Sequence, residues 1–428
     1  MQTDRNSRRS RALASAIVAV FATHGSAGWS AILPVTSCDD DGSPGTLRSV
    51  IGDAGSNDTV DLTQLSCSTI SLADEVGSLY IGVDFLVIRA RDANSLHIAA
   101  PFHSRAVLHA GVGTLSLIGL SISGGTYAEP GGCVRSNGSV YLSGSTVSGC
   151  QAGDMGGGIY AKFDLMLVGS SVVGNVVDAH NTSRGGGAFV GRDLQSTEST
   201  ISGNLATTYA SVRGAGGGAY VGRDASIVRS TISGNSANIG GGLAAVAAGR
   251  SFYLGESTVS GNTATAAAGI LFGPSKLLIY NSTIAFNQTT AANPSNICRN
   301  SAVCAYVPPL GPAPLLVSTI IANNTNASSG VNADLYSFQQ PSGHKNLIVA
   351  ANVTPPGTLG ADPQLGPLSN NGGTTLTHAL AASSPAVDAG DADAWAVDQR
   401  GKPRVSGAAA DIGAYELQND TIFKNGFQ

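Results

Sequence analysis

The sequence predicts an all-β chain wound into a parallel β-helix of roughly ten coils, with a short capping helix in front and a small separate domain behind. Three observations carry that prediction. The composition is strand-like: 56 of 428 residues are Gly, 12% are charged, and the hydrophobic fraction of 42% is ample for a core. A six-residue phrase recurs, starting at Ser145 (STVSGC), Ser170 (SSVVGN), Ser199 (STISGN), Ser230 (STISGN), Ser257 (STVSGN) and Ser282 (STIAFN), with spacings of 25, 29, 31, 27 and 25. A glycine cluster precedes several copies, at 156–158, 185–187, 216–218 and 240–242. The unit between landmarks has no room for a helix of ten residues. That excludes helical repeats, and it is too short for a propeller blade.

Stacked coils explain the spelling. Equivalent residues of successive coils lie about 4.8 Å apart. The third motif position (Val147, Val172, Ile201, Ile232, Val259, Ile284) is expected to point inward. The second (Thr146, Ser171, Thr200, Thr231, Thr258, Thr283) is expected to face out. The Asn column (Asn175, Asn204, Asn235, Asn262, Asn287) is expected at the turn, in a left-handed conformation, with amides bonding from coil to coil. The column before the motif, Glu198, Arg229 and Glu256, alternates in sign and reads as a surface salt ladder.

Residues 1–27 read as a signal peptide: Arg5, Arg8, Arg9 and Arg11 precede an apolar run from Ala12 to Ala22, then Gly25-Ser26-Ala27 as the cleavage site. The run is too short to span a membrane, for which about 20 residues are needed. The expected location is secreted or at the cell surface, with no transmembrane span after cleavage. Export makes six cysteines a disulfide framework, with sequence neighbours pairing as Cys38–Cys67, Cys133–Cys150 and Cys298–Cys304. Residues 38–60 form an N-terminal cap, in which Leu47, Val50, Ile51 and Ala54 have helical spacing after Ser43-Pro44 as N-cap and first turn. The solenoid occupies 61–350, a C-terminal domain 360–417, and a tail 418–428.

The paired GGGAYV and STISGN phrases resemble the repeats of polymorphic outer-membrane proteins. The whole pattern is similar to right-handed parallel β-helix proteins of the pectin-lyase-like superfamily. The C-terminal phrases NGGT (371–374), SPAVDAG (384–390), DQRG (398–401), Arg404 and DIGAYE (411–416) resemble the choice-of-anchor Q domain. That resemblance implies an exported or surface-attached bacterial protein, and no molecular activity.

Candidate sites are few. Six residues after each glycine cluster stand Asp164, Asp193 and Asp224; five after stand Phe163, Arg192 and Arg223; two after stand Tyr160, Phe189 and Tyr220. In register, they would line one side of the solenoid. Aromatic rings there could stack on sugars while Asp and Arg handle hydroxyl or uronate groups; alternatively Arg and Asp neutralise each other along the stack. The three Asp are also the candidates for paired-carboxylate catalysis. Asp388, Asp391, Asp393 and Asp398 are candidate Ca²⁺ ligands, or else Asx-turn residues with an Asp398–Arg400 or Asp411–Arg404 ion pair. No other cofactor is expected. The thin net charge of −5 gives no footprint for nucleic acid. The expected function is a non-catalytic surface or envelope protein with an adhesive or glycan-binding role and an extracellular polysaccharide or surface receptor as partner. The competing class is a β-helix polysaccharide lyase or glycoside hydrolase.

Overall fold

A computed structural model describes residues 30–179, 183–208, 214–245, 250–273, 276–290, 301–305, 312–327, 334–392 and 395–418. Its body is a parallel β-solenoid of about ten turns, with one short helix and a small two-stranded C-terminal sheet. Each full coil contributes one strand to each of four parallel sheets. The coil after the first glycine cluster shows the order. Ile159–Ala161 enters the glycine-side sheet, Leu165–Val168 the longest sheet, Ser171–Val173 the motif sheet and Val176–Ala179 a fourth sheet. These sheets hold 10, 12, 11 and 8 strands among the described residues. The fourth strand was not expected from the sequence, because two to four residues after the motif carry no alternation long enough to read.

Register follows the phrase. Val147, Val172, Ile201, Ile232, Val259 and Ile284 pair in one column, and all are fully buried. Along the motif's other edge the asparagines form a continuous amide ladder. Asn175 Nδ2 donates to Asn204 Oδ1 at 3.0 Å, and the same bond links 204 to 235, 235 to 262, 262 to 287 and 287 to 324. Each Nδ2 also donates to a strand carbonyl of the preceding coil, such as Val147 O, so the buried amides are satisfied. Asp334 ends the ladder by accepting from Asn324 at 2.8 Å. The left-handed residue of this turn is the preceding glycine (Gly174, Gly203, Gly234, Gly261) rather than Asn, whose side chain is needed inside. The first motif serine makes a second ladder that the sequence reading missed: Ser145, Ser170, Ser199 and Ser230 each donate a backbone N–H to the hydroxyl of the next.

The glycine clusters permit close coil-to-coil approach. Gly156 sits at φ +64°, and a Cβ on Gly157 would strike the carbonyl oxygen of Gly186 in the next coil.

The front end is closed by the helix Leu47–Asp53, which buries Leu47 and Ile51. Its N-cap is Thr46, whose hydroxyl accepts from Ser49 N at 3.3 Å, and not Ser43; Pro44 lies outside the helix. Arg48 reaches from this helix to the carbonyls of Gly77 and Ser78, beside the terminal strand Leu79–Ile81 of the glycine-side sheet. Cys38–Cys67 and Cys133–Cys150 are disulfides. Cys304 is also disulfide-bonded, while Cys298 lies outside the described residues. These bonds mark an oxidising, extracytoplasmic setting. Among the described residues no helix is long and apolar enough to cross a membrane. The expected signal peptide falls outside the described residues, as does the tail beyond Gln418.

Candidate functional site

The expected array does assemble. Tyr160, Phe189 and Tyr220 occupy one register column of the glycine-side sheet, and alternation turns them outward between buried neighbours. Their rings lie 5.2 and 5.6 Å apart and within 5° of parallel. Arg135, one coil earlier in the column, places its guanidinium 5.8 Å from the Tyr160 centroid, and Arg184 lies 4.9 Å from that of Tyr220. The rings are half-buried, and they spend their faces on each other and on guanidinium groups, so edges rather than faces meet solvent.

The charged columns beside them are equally committed. Asp164 Oδ1 accepts from Asp193 N, Asp193 Oδ1 from Asp224 N, and Asp224 Oδ1 from Ser251 N at 2.7 Å. Arg192 pairs with Asp164 at 3.2 Å and Arg223 with Asp193 at 3.4 Å, while Arg192 also lies over Phe163. Each carboxylate therefore closes a turn by accepting a backbone N–H of the next coil, and Asp164 and Asp193 also neutralise an arginine there. This is a structural ladder of partly exposed pairs, each of small energetic worth.

Among the described residues the acidic stretch of the C-terminal segment does not converge. Asp398 is buried and held by Arg400 at 2.7 Å together with the backbone N–H groups of Arg400, Lys402 and Glu416. Asp388 accepts from Ala409 N, and Asp391 approaches His344 at 3.4 Å. Asp393 lies outside the described residues. Among the described residues no group of three or more His, Cys, Asp or Glu is placed to hold a metal ion. Of the two anticipated ion pairs, Asp398–Arg400 forms. Arg404 instead bonds the Asp411 carbonyl and faces Glu256 at 3.6 Å.

That last contact belongs to a feature with no local sequence signal. The C-terminal segment doubles back along the motif sheet and covers its last coils. Thr231 Oγ1 donates to Leu376 O, Thr258 Oγ1 to Gln399 Oε1, and Thr283 Oγ1 accepts from Ala414 N. Gln399 Nε2 also reaches Thr231, Thr375 and Leu376 O. Ile320, Ala322, Leu347, Leu380, Ala386 and Ile412 form the apolar part of the joint. Thr231, Thr258 and Thr283 are consequently buried, against the expectation that the whole column faces solvent. Glu256 is likewise not a surface rung: it is fully buried, and desolvation outweighs the attraction of Arg404 and pushes its carboxyl up to about 8. Glu198 and Arg229 do form the expected pair, at 2.6 Å.

One Ser–His contact also lies in this joint. His378 Nδ1 is 2.7 Å from Gly366 O, so Nε2 is left to accept from Ser260 Oγ at 2.8 Å. Both side chains are buried, and burial keeps His378 neutral by lowering its pKa. The pair braces the interface.

No protein-family model matches this chain, and no curated protein matches it. The resemblances to outer-membrane repeats and to the choice-of-anchor Q domain therefore have no support from the family comparison. A solved structure, the crystal structure of pectate lyase Pel9A, aligns with 92% of this chain and 97% of its own, at a TM-score of 0.47 and 13% identity.

Proposed function

We propose that this protein is a non-catalytic, extracytoplasmic β-solenoid that serves as a rigid adhesive scaffold at or beyond the cell surface. The observation that carries the reading is the commitment of the Asp and Arg columns. Asp164, Asp193 and Asp224 each accept a backbone N–H from the following coil, and the first two also hold an arginine. A general acid or nucleophile must instead be free to meet substrate. Sugar stacking on Tyr160, Phe189 and Tyr220 would need exposed ring faces, and these rings present their edges. The disulfides support the extracytoplasmic placement.

The test is product release from acidic and neutral polysaccharides, with and without Ca²⁺. The expected result is none above buffer. Release that disappears in Asp193→Asn would replace the scaffold by an enzyme. Retention on a glycan column that is lost in Tyr220→Ala, with the melting temperature unchanged, would restore the aromatic stripe as a sugar site.

A further inference from the structure

The first two coils carry an apolar array that the later coils lack. Tyr80 and Leu108 are register partners on the outward side of the glycine-side sheet. The loop before this sheet places Val76 in one coil and Phe102 in the next. These loops are tied together by Phe102 N donating to Asp74 and by Ser78 Oγ meeting Ser104 Oγ at 2.9 Å. The loop after the sheet does the same with Phe85 and Val112, joined by Val112 N donating to Asp84 at 2.8 Å. The result is three positions across and two coils deep. Phe102 is 68% exposed and Tyr80 62%, and Val76, Phe85 and Val112 are exposed as well. In the coils that follow, the column continues with Arg135 and then the half-buried stacked rings. Clustered exposed apolar side chains of this kind mark interaction surfaces, and aromatic residues are enriched at the centres of interfaces.

The rim fixes the partner's chemistry. Asp74, Glu75 and Asp84 are exposed around the array, and none belongs to an ion pair among the described residues. The nearby arginines are turned away: Arg48 is bound to Asp40 and to the carbonyls of Gly77 and Ser78, and Arg105 is 4% exposed, while His103 is exposed beside Phe102. No Lys or Arg occurs between residues 49 and 88. Two copies meeting through this face would oppose like charges, which complementarity disfavours. We propose that the first two coils dock a protein segment that combines cationic side chains with aromatic or aliphatic anchors. This goes beyond the scaffold reading and does not depend on the stacked stripe.

The probe is a fluorescent peptide alternating Lys with Phe and Leu, titrated with the full chain. The matched peptide with Glu for Lys serves as control. Binding should be confined to the Lys peptide and weaken as salt rises. It should fall by about tenfold or more in Tyr80→Ser/Phe102→Ser, as for interface hot spots. It should fall similarly in Asp74→Asn/Glu75→Gln/Asp84→Asn, where Asn still offers an acceptor to the loop backbone. Val405→Ser, at an exposed but remote apolar residue, should change nothing. Unaltered binding by the first two variants, or an equal loss in Val405→Ser, would overturn the proposal. So would a Tyr80- and Phe102-dependent dimer of the chain alone, or Tyr80- and Phe102-dependent capture of neutral oligosaccharides or phosphatidylcholine vesicles in place of the peptide. Circular dichroism of each variant separates lost binding from lost fold.

Discussion

Thr200 and Thr258 hold the same place in the same motif, two coils apart, and live in different environments. Thr200 stands half-exposed on the motif sheet, as do Thr146 and Ser171 before it. Thr258 is fully buried, because its hydroxyl donates to Gln399 at 2.6 Å from a segment 141 residues away. The phrase that builds a coil thus fixes which side chains point in or out of the solenoid. Whether an outward side chain meets water is decided separately, by the returning C-terminal segment. One sheet serves as an open face for its early coils and as an internal joint for its last ones.

The largest expected effect is common to both regions, because the inward column does not distinguish them. Ile232→Asn and Ile201→Asn should each cost about 3–5 kcal/mol, the sum of lost aliphatic packing and an amide without partners. Chemical denaturation should show comparable drops. A mild effect at either site would mean the inward register is misassigned.

The next effect separates the regions by pH. Glu256 ordinarily titrates near 4.5 and is raised to about 8 in the joint, and burial raises Glu416 to about 7. A raised carboxyl favours the folded state while protonated. Its contribution is complete below the ordinary value and is lost as pH climbs toward the folded value. Denaturation midpoints should therefore fall between roughly pH 5 and 8, by the equivalent of a few kcal/mol for a fully buried group. Glu256→Gln should reduce that slope and remove most of its part above about pH 7, leaving the shares of Glu416 and of Asp334, which burial raises to about 6. An unchanged slope would show that Glu256 is not desolvated by the C-terminal segment.

How far the sequence carried this reading depends on the range of the cause. Stacked identity is a nearest-coil effect, so the solenoid, the aliphatic column and the amide ladder were legible from spacing alone. The Cys38–Cys67 and Cys133–Cys150 bonds agree with pairing of sequence neighbours, one of the fifteen connectivities that six cysteines allow and that order along the chain does not decide. Burial of Thr231 and Glu256 arises from residues 376 and 404, and contact at such separation leaves no periodic trace in either segment. The aromatic column was legible, but its packing was not: spacing reports that three rings are neighbours, while the structure shows them within 5° of parallel. The turn conformation went to Asn by propensity. In the structure Gly takes it, because the Asn side chain is required for the buried ladder.

The smallest expected effect lies on the open face. Glu198→Gln removes a partly exposed pair with Arg229 and should cost no more than about 1 kcal/mol. A thermal shift beyond the range of other surface substitutions would mean that the C-terminal segment extends its influence one coil further than its contacts indicate.

The central claim is that the C-terminal segment reads the threonine column at specific coils. A double-mutant cycle tests it most directly, by combining Gln399→Ala with Thr258→Val and, separately, with Thr200→Val. The Thr258 cycle should give a coupling of about 1 kcal/mol or more, as for a buried hydrogen bond between contacting residues. The Thr200 cycle should give zero within error. Equal couplings, or none in the Thr258 cycle, would contradict the docked segment and return the whole column to solvent.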